Sequence, residues 1–111
     1  LADCILMGFS QGGMMTFEVG NFLKKQLAGL VILSGRIMKN DPIENKILQQ
    51  TPIFISHGEK DEVIPLESLY KSKEYLSTNK CNFESHILPF DGHNISPEAI
   101  NLLQNFIKKI L

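Results

Sequence analysis

Four short apolar runs, Cys4–Phe9, Leu30–Ser34, Ile53–Ser56 and Phe83–Leu88, alternate along the chain with stretches of helical periodicity. That alternation constrains the fold more than any other feature. Strands separated by helix-length connections pair in parallel, and a parallel sheet needs helices packed on its faces. Cys4–Phe9 and Leu30–Ser34 are continuous and aliphatic, as expected of strands buried on both faces. Phe83–Leu88 alternates more and suits a strand nearer a sheet edge. Between the runs, Gly12–Leu23 carries Met15, Val19, Phe22 and Leu23 at helical spacing, and Asp41-Pro42 has the cap chemistry to open a short helix. Leu66–Leu76 sets Leu66, Leu69, Tyr70, Lys73 and Leu76 along one stripe, with Lys73 snorkelling. Ser96-Pro97 opens a last helix whose Ile100, Leu103, Phe106, Ile107 and Ile110 make an apolar face. No repeat, low-complexity tract or interdomain linker interrupts the series. Residues 1–111 read as one α/β unit of about four mostly parallel strands flanked by helices.

Composition excludes several function classes. With 11 Lys+Arg against 12 Asp+Glu the formal charge is −1, so neither nucleic-acid binding nor electrostatic membrane docking is expected. The paired lysines Lys24–Lys25 and Lys108–Lys109 read as solvated helix faces. No apolar run reaches the roughly 20 residues of a membrane span. Leu1-Ala2-Asp3-Cys4 lacks the basic segment of a signal peptide, and the chain starts without Met, so its true beginning is expected to lie upstream. Cys4, in an apolar run, reads as a buried thiol, and Cys81 lies in a polar stretch. Two distant cysteines make neither a disulfide framework nor a metal site. The expectation is two free thiols in a reducing cytoplasm.

Chemistry concentrates first in Gly8-Phe9-Ser10-Gln11-Gly12, a G-x-S-x-G pattern between an apolar strand and a helix. A serine on such a sharp turn tolerates no clashing neighbours, which explains the glycines. The turn lifts the hydroxyl above the sheet, and the helix N-terminus beneath it favours developing negative charge.

A nucleophilic serine needs a base, and the base needs an orienting acid. His57-Gly58-Glu59-Lys60-Asp61 puts Asp61 in the loop after the third strand, and Phe90-Asp91-Gly92-His93 puts His93 in the loop after the fourth. Ser10, Asp61 and His93 therefore all fall at carboxyl ends of strands, the rim where such sheets bind ligands. The competitors are weaker. His57 ends a strand and reads as a packed or hydrogen-bonded structural histidine; His86 sits mid-strand. Asp91 also lies between Ser10 and His93 in the chain, but only two residues from His93, where reaching Nδ1 is hard. Glu59 and Glu62 read as solvated.

Together, Gly8-Phe9-Ser10-Gln11-Gly12-Gly13, Leu33-Ser34-Gly35, His57-Gly58-x-x-Asp61-x-x-Ile64-Pro65 and Gly92-His93 resemble the phospholipase/carboxylesterase family, which includes acyl-protein thioesterases. The resemblance implies the C-terminal half of an α/β-hydrolase fold. It also implies hydrolysis of carboxylic esters or thioesters, on a small-molecule or lipid-like acyl substrate, with no cofactor. Ser10, Asp61 and His93 match the family's triad, and Gln11 matches the residue whose backbone N–H is one oxyanion donor. The resemblance departs at Asp91, where many relatives look more apolar; a charge there favours the imidazolium of His93. It also implies that the N-terminal half, with the first strands and the loop carrying the second oxyanion N–H, lies outside residues 1–111.

Three functions follow as expectations. The first is an ester or thioester hydrolase working through an acyl-enzyme on Ser10. The second is a catalytically silent fragment acting as a binding or oligomerising piece. The third is a peptidase or lactone hydrolase on the same scaffold. By the resemblance, the strand over residues 4–9 is central in the whole fold. Alone it is an open edge without charge or proline, expected to recruit a second copy or a complementary N-terminal fragment.

Overall fold

The computed structural model describes all of Leu1–Leu111. Four strands, β1 (Ile5–Phe9), β2 (Gly29–Leu33), β3 (Ile53–Gly58) and β4 (Phe83–Leu88), form one sheet in the order β1-β2-β3-β4, every pair parallel. Between them run α1 (Gln11–Phe22), α2 (Lys46–Gln50) and α3 (Glu67–Thr78), and α4 (Pro97–Ile110) closes the chain. Because every pair is parallel, all four carboxyl ends lie along one rim. The expected architecture is the observed one.

The two faces of the sheet bury different residues. Leu30 and Ile32 of β2 with Ile53 and Ile55 of β3 join Phe17 of α1, Leu48 of α2, and Leu69 and Leu76 of α3 in one cluster. Val31, Leu33 and Phe54 point the other way and meet Leu103 and Phe106 of α4. A period of two along the strands thus feeds two cores, which is why β2 and β3 are apolar at almost every position. β2 and β3 are buried throughout, whereas β1 and β4 are edges. The edge position of β4 matches its alternating sequence.

Several expectations need correction. β1 is not buried on both faces: Met7 is 48% and Phe9 38% exposed, because nothing pairs with its outer side. Cys4, just before β1, is exposed rather than buried. Cys81 is the more sheltered thiol, packed against the larger core, and burial pushes it up to about 11. In α1, Gly13, Thr16, Phe17 and Gly20 form the buried face; Met15, Val19 and Phe22 of the expected stripe face outward, Phe22 at 83% exposure. Only Leu23 of that set packs against the core. Ile100 of α4 is likewise exposed. Lys24 and Lys25 follow the end of α1 instead of lying on it.

No helix opens at Asp41-Pro42. The Ile43 N–H donates to Asn79 Oδ1 at 2.8 Å and the Tyr75 hydroxyl to the Asp41 carbonyl at 2.5 Å, so α3 takes the groups a helix start would use. The helix starts at Lys46 with Asn45 as its cap, Oδ1 accepting from the Ile47 and Leu48 N–H groups. The Asn45 amide donates in turn to the carbonyls of Asn21 and Leu23, closing the end of α1. One side chain caps two helices.

Candidate active site

Ser10 occupies the turn from β1 into α1 at φ 58° and ψ −120°, a left-handed conformation that a residue with a Cβ adopts only under constraint. The constraint is visible. The Ser10 N–H donates to the Leu33 carbonyl at 2.8 Å, and its own carbonyl accepts from the Gly13 and Met14 N–H groups. A Cβ on Gly8 would collide with the Gly12 carbonyl and Thr16, so the first glycine of the pattern is sterically required. The last is not, for a Cβ on Gly12 meets nothing. A serine at a helix start ordinarily turns its hydroxyl onto the helix N–H groups. Ser10 makes no such cap bond; its Oγ lies 2.9 Å from His93 Nε2.

His93 Nδ1 lies 2.7 Å from Asp61 Oδ2. A carboxylate can only accept, so Nδ1 carries the proton and bare Nε2 faces the serine hydroxyl. Asp61 is buried at 7% exposure, and the Val63 and Ile64 N–H groups donate to its Oδ1 at 2.8 Å each. Burial alone pushes this carboxyl up. The hydrogen bonds from Ile64, His93 and Val63 and the attraction of His93 outweigh it, holding Asp61 below the usual carboxylate value. The Phe9 ring lies against the imidazole with centroids 4.9 Å apart.

The loops carrying Asp61 and His93 are clasped to each other. The Lys60 N–H donates to the Asp91 carbonyl and the Glu59 N–H to the Leu88 carbonyl, both at 2.9 Å. At Gly58 a Cβ would collide with the carbonyls of Asp91 and Gly92, so glycine permits this approach. As the first residue of α1, Gln11 has a backbone N–H without a partner inside the helix, beside the serine.

The structure thus brings Ser10, His93 and Asp61 together from three different loops of the rim, and neither Asp91 nor His86 joins them. Asp91 is buried, makes no bond to His93, and has Oδ2 without a partner. His86 lies on β4, 2.7 Å from Glu84. His57 is buried, with Nε2 2.7 Å from the Ile64 carbonyl.

A sequence profile of the phospholipase/carboxylesterase family matches residues 2–111. The chain belongs to that family. Among phospholipase/carboxylesterase relatives, acyl-protein thioesterase 1 of Saccharomyces cerevisiae is 33% identical over 96% of this chain and 49% of its own length. A probable carboxylesterase, SOBER1-like, of Arabidopsis thaliana is 31% identical over 94% of this chain and 41% of its length. Among solved structures, Arabidopsis thaliana SOBER1 superposes with a TM-score of 0.85 at 27% identity, covering 96% of this chain and 52% of that one. Esterase PE8 superposes with a TM-score of 0.84 at 29% identity, covering 99% and 51%. The chain spans about half the length of the relatives it matches.

Sequence reasoning missed how His57 is tied into the loop of Asp61. It also missed the clasp between residues 58–60 and Asp91. The signal for the second was Gly58, where a side chain would meet the carbonyls of Asp91 and Gly92.

Proposed function

We propose that the chain carries the reacting groups of a serine hydrolase that cleaves carboxylic esters or acyl thioesters. Ser10 is the nucleophile, His93 the general base and then acid, and Asp61 the acid that orients it. The observation carrying this reading is the continuous relay Ser10 Oγ, His93 Nε2, His93 Nδ1, Asp61 Oδ2, with spacings of 2.9 and 2.7 Å. As Oγ bonds the acyl carbonyl carbon, Nε2 takes its proton, and the imidazolium is stabilised by the buried carboxylate. The imidazolium then protonates the departing alcohol or thiol as its bond to carbon breaks. Water repeats the cycle on the acyl-enzyme, and Ser10 is regenerated. The Gln11 N–H donates to the oxyanion, so none of these steps calls for a cofactor. Exposed apolar side chains beside the triad in sequence, Val63, Phe90 and Ile95 together with Phe9, suit an acyl chain. The ester and thioester preference follows the named relatives. Cys4 and Cys81 as free thiols fit a reducing, cytoplasmic setting, and no helix is long and apolar enough to cross a membrane.

The test is fluorophosphonate treatment of the full native polypeptide followed by peptide mass spectrometry. Modification is expected at Ser10 and is expected to vanish in Ser10→Ala. A modified residue elsewhere, with Ser10 clean, overturns the assignment.

A second reading is favoured by one observation, the unpaired outer side of β1 flanked by exposed Met15 and Phe22. We propose that residues 1–111 alone associate through this strand, with a second copy or with a complementary N-terminal segment. In isolation they turn over slowly, because a single missing oxyanion donor costs about 10²–10³-fold in rate.

A further inference from the structure

We propose that His57 is a positioning residue for Asp61, an extension that rests on the triad reading above. His57 is the penultimate residue of β3 and is 1% exposed. Its Nε2 lies 2.7 Å from the Ile64 carbonyl, which can only accept, so Nε2 carries the proton. The same Nε2 is 3.4 Å from Asp61 Oδ2, the oxygen that receives the His93 bond. The Ile64 N–H, on the residue whose carbonyl His57 holds, donates to Asp61 Oδ1. One N–H therefore pins the turn that supplies a donor to one carboxylate oxygen and faces the other oxygen directly.

The arrangement has a cost that an ordinary core residue avoids. His57 Nδ1 is buried without any partner. An apolar side chain would fill the slot, beside Ile53 and Ile55 on the same face of β3, with no such orphan. What the histidine adds is a rigid donor aimed at the 61–64 turn from the strand, the stiffest part of the frame. A loop-borne acid held only by its own turn would wander relative to His93. The donor from β3 ties the Asp61 turn to the strand.

The experiment has two arms, both on the full native polypeptide. In the first, long-range ¹H–¹⁵N correlation reads the ring tautomers of the unsubstituted protein. His57 is expected as the neutral Nε2–H form; a ring protonated at Nδ1 with bare Nε2 overturns the proposal, whatever any variant does. In the second, His57→Met removes the donor while keeping the volume, and His57→Gln keeps an N–H near the place of Nε2. His57→Met is expected to slow fluorophosphonate labelling of Ser10 by about 10- to 10²-fold, the scale of an ångström misplacement, and to broaden or lose the downfield His93 Nδ1–H resonance. His57→Gln is expected to restore both. In an Asp61→Asn background His57→Met should add no further loss, since the group it positions is gone. A folded His57→Met with the parent rate and resonance overturns the proposal, as does an equal loss in both backgrounds. If His57→Met does not fold, the tautomer and the His57→Gln variant decide. Failure of the triad reading looks different: Ser10 unlabelled in the parent, with the His57 tautomer and His93 resonance still in place.

Discussion

Ser10 is held in a backbone region that costs on the order of 1–3 kcal/mol for a residue bearing a Cβ, and its hydroxyl forgoes the helix cap that serines normally supply. Both losses are offset by the surrounding bonds and serve one end, an Oγ presented to His93. Asp61 shows the same economy of position, with both oxygens engaged in the buried rim. Replacing Asp61 by Asn should lower the rate of Ser10 acylation by up to about 10⁴-fold, because an amide leaves the imidazole in the wrong tautomer. Asp91→Asn should cost far less, since Asp91 makes no bond to His93. The reverse ranking in single-turnover kinetics would mean that Asp91 is the acid. The lowered pKa of Asp61 also has a consequence for stability. A carboxyl depressed in the folded state contributes fully above its ordinary 3.8 and loses that contribution as pH falls through its lower folded value. Urea titrations stepped downward from pH 5 should show this acid loss in the parent and a shallower one in Asp61→Asn. Identical slopes would contradict the depressed value.

At the scale of elements, the β1–α1 junction makes an asymmetric demand on the two glycines around the serine. A methyl on Gly8 collides with the Gly12 carbonyl, whereas one on Gly12 points into open space. Gly8→Ala should therefore distort the turn, lower the melting temperature and abolish Ser10 labelling. Gly12→Ala should leave labelling intact and hold or raise the melting temperature, since alanine is favoured over glycine within a helix by roughly 1 kcal/mol. Thermal melts and labelling of the two variants check this, and equal damage from both would refute the steric account. The helices themselves are positioned by side chains far apart in sequence. Asn45 ends α1 while starting α2, and Asn79 at the end of α3 holds Ile43 before α2. These bonds explain why the connection after β2 is long and irregular before its short helix begins.

For the molecule as a whole, the decisive feature is the unequal burial of the two edges. β4 ends the sheet with Glu84 bonded to His86 and to Lys109 of α4, a charged edge that discourages pairing. β1 ends it with Ile5-Leu6-Met7-Gly8-Phe9, uncharged, beside a helix face showing Met15, Val19 and Phe22. Expressed alone, residues 1–111 should elute as dimers or larger species in size-exclusion chromatography with light scattering. Met7→Lys on the open strand should shift them toward monomer. A soluble, cooperatively folding monomer with full turnover would show that the edge needs no partner and that one oxyanion donor suffices.

How much of this was legible beforehand depends on the range of the interaction involved. Strand and helix order, the parallel sheet, the turn at Ser10 and the loops of Asp61 and His93 are written in local terms: hydrophobic periodicity, glycine spacing, and chain order at strand ends. The sequence by itself determined those, because each depends on residues close to one another in the chain. It misjudged Cys4, the exposed face of α1 and the start of α2, because burial and capping there depend on what lies opposite. An apolar run reads the same whether or not a neighbouring strand covers it. The sequence already favoured Asp61 over Asp91, which lies only two residues from His93, and the tertiary structure added the contact itself, Asp61 Oδ2 at 2.7 Å from Nδ1. The tertiary structure alone gave His57, read from the sequence as a packed or hydrogen-bonded histidine, its partner in the Asp61 turn, because a bond to a backbone carbonyl leaves no mark in residue type.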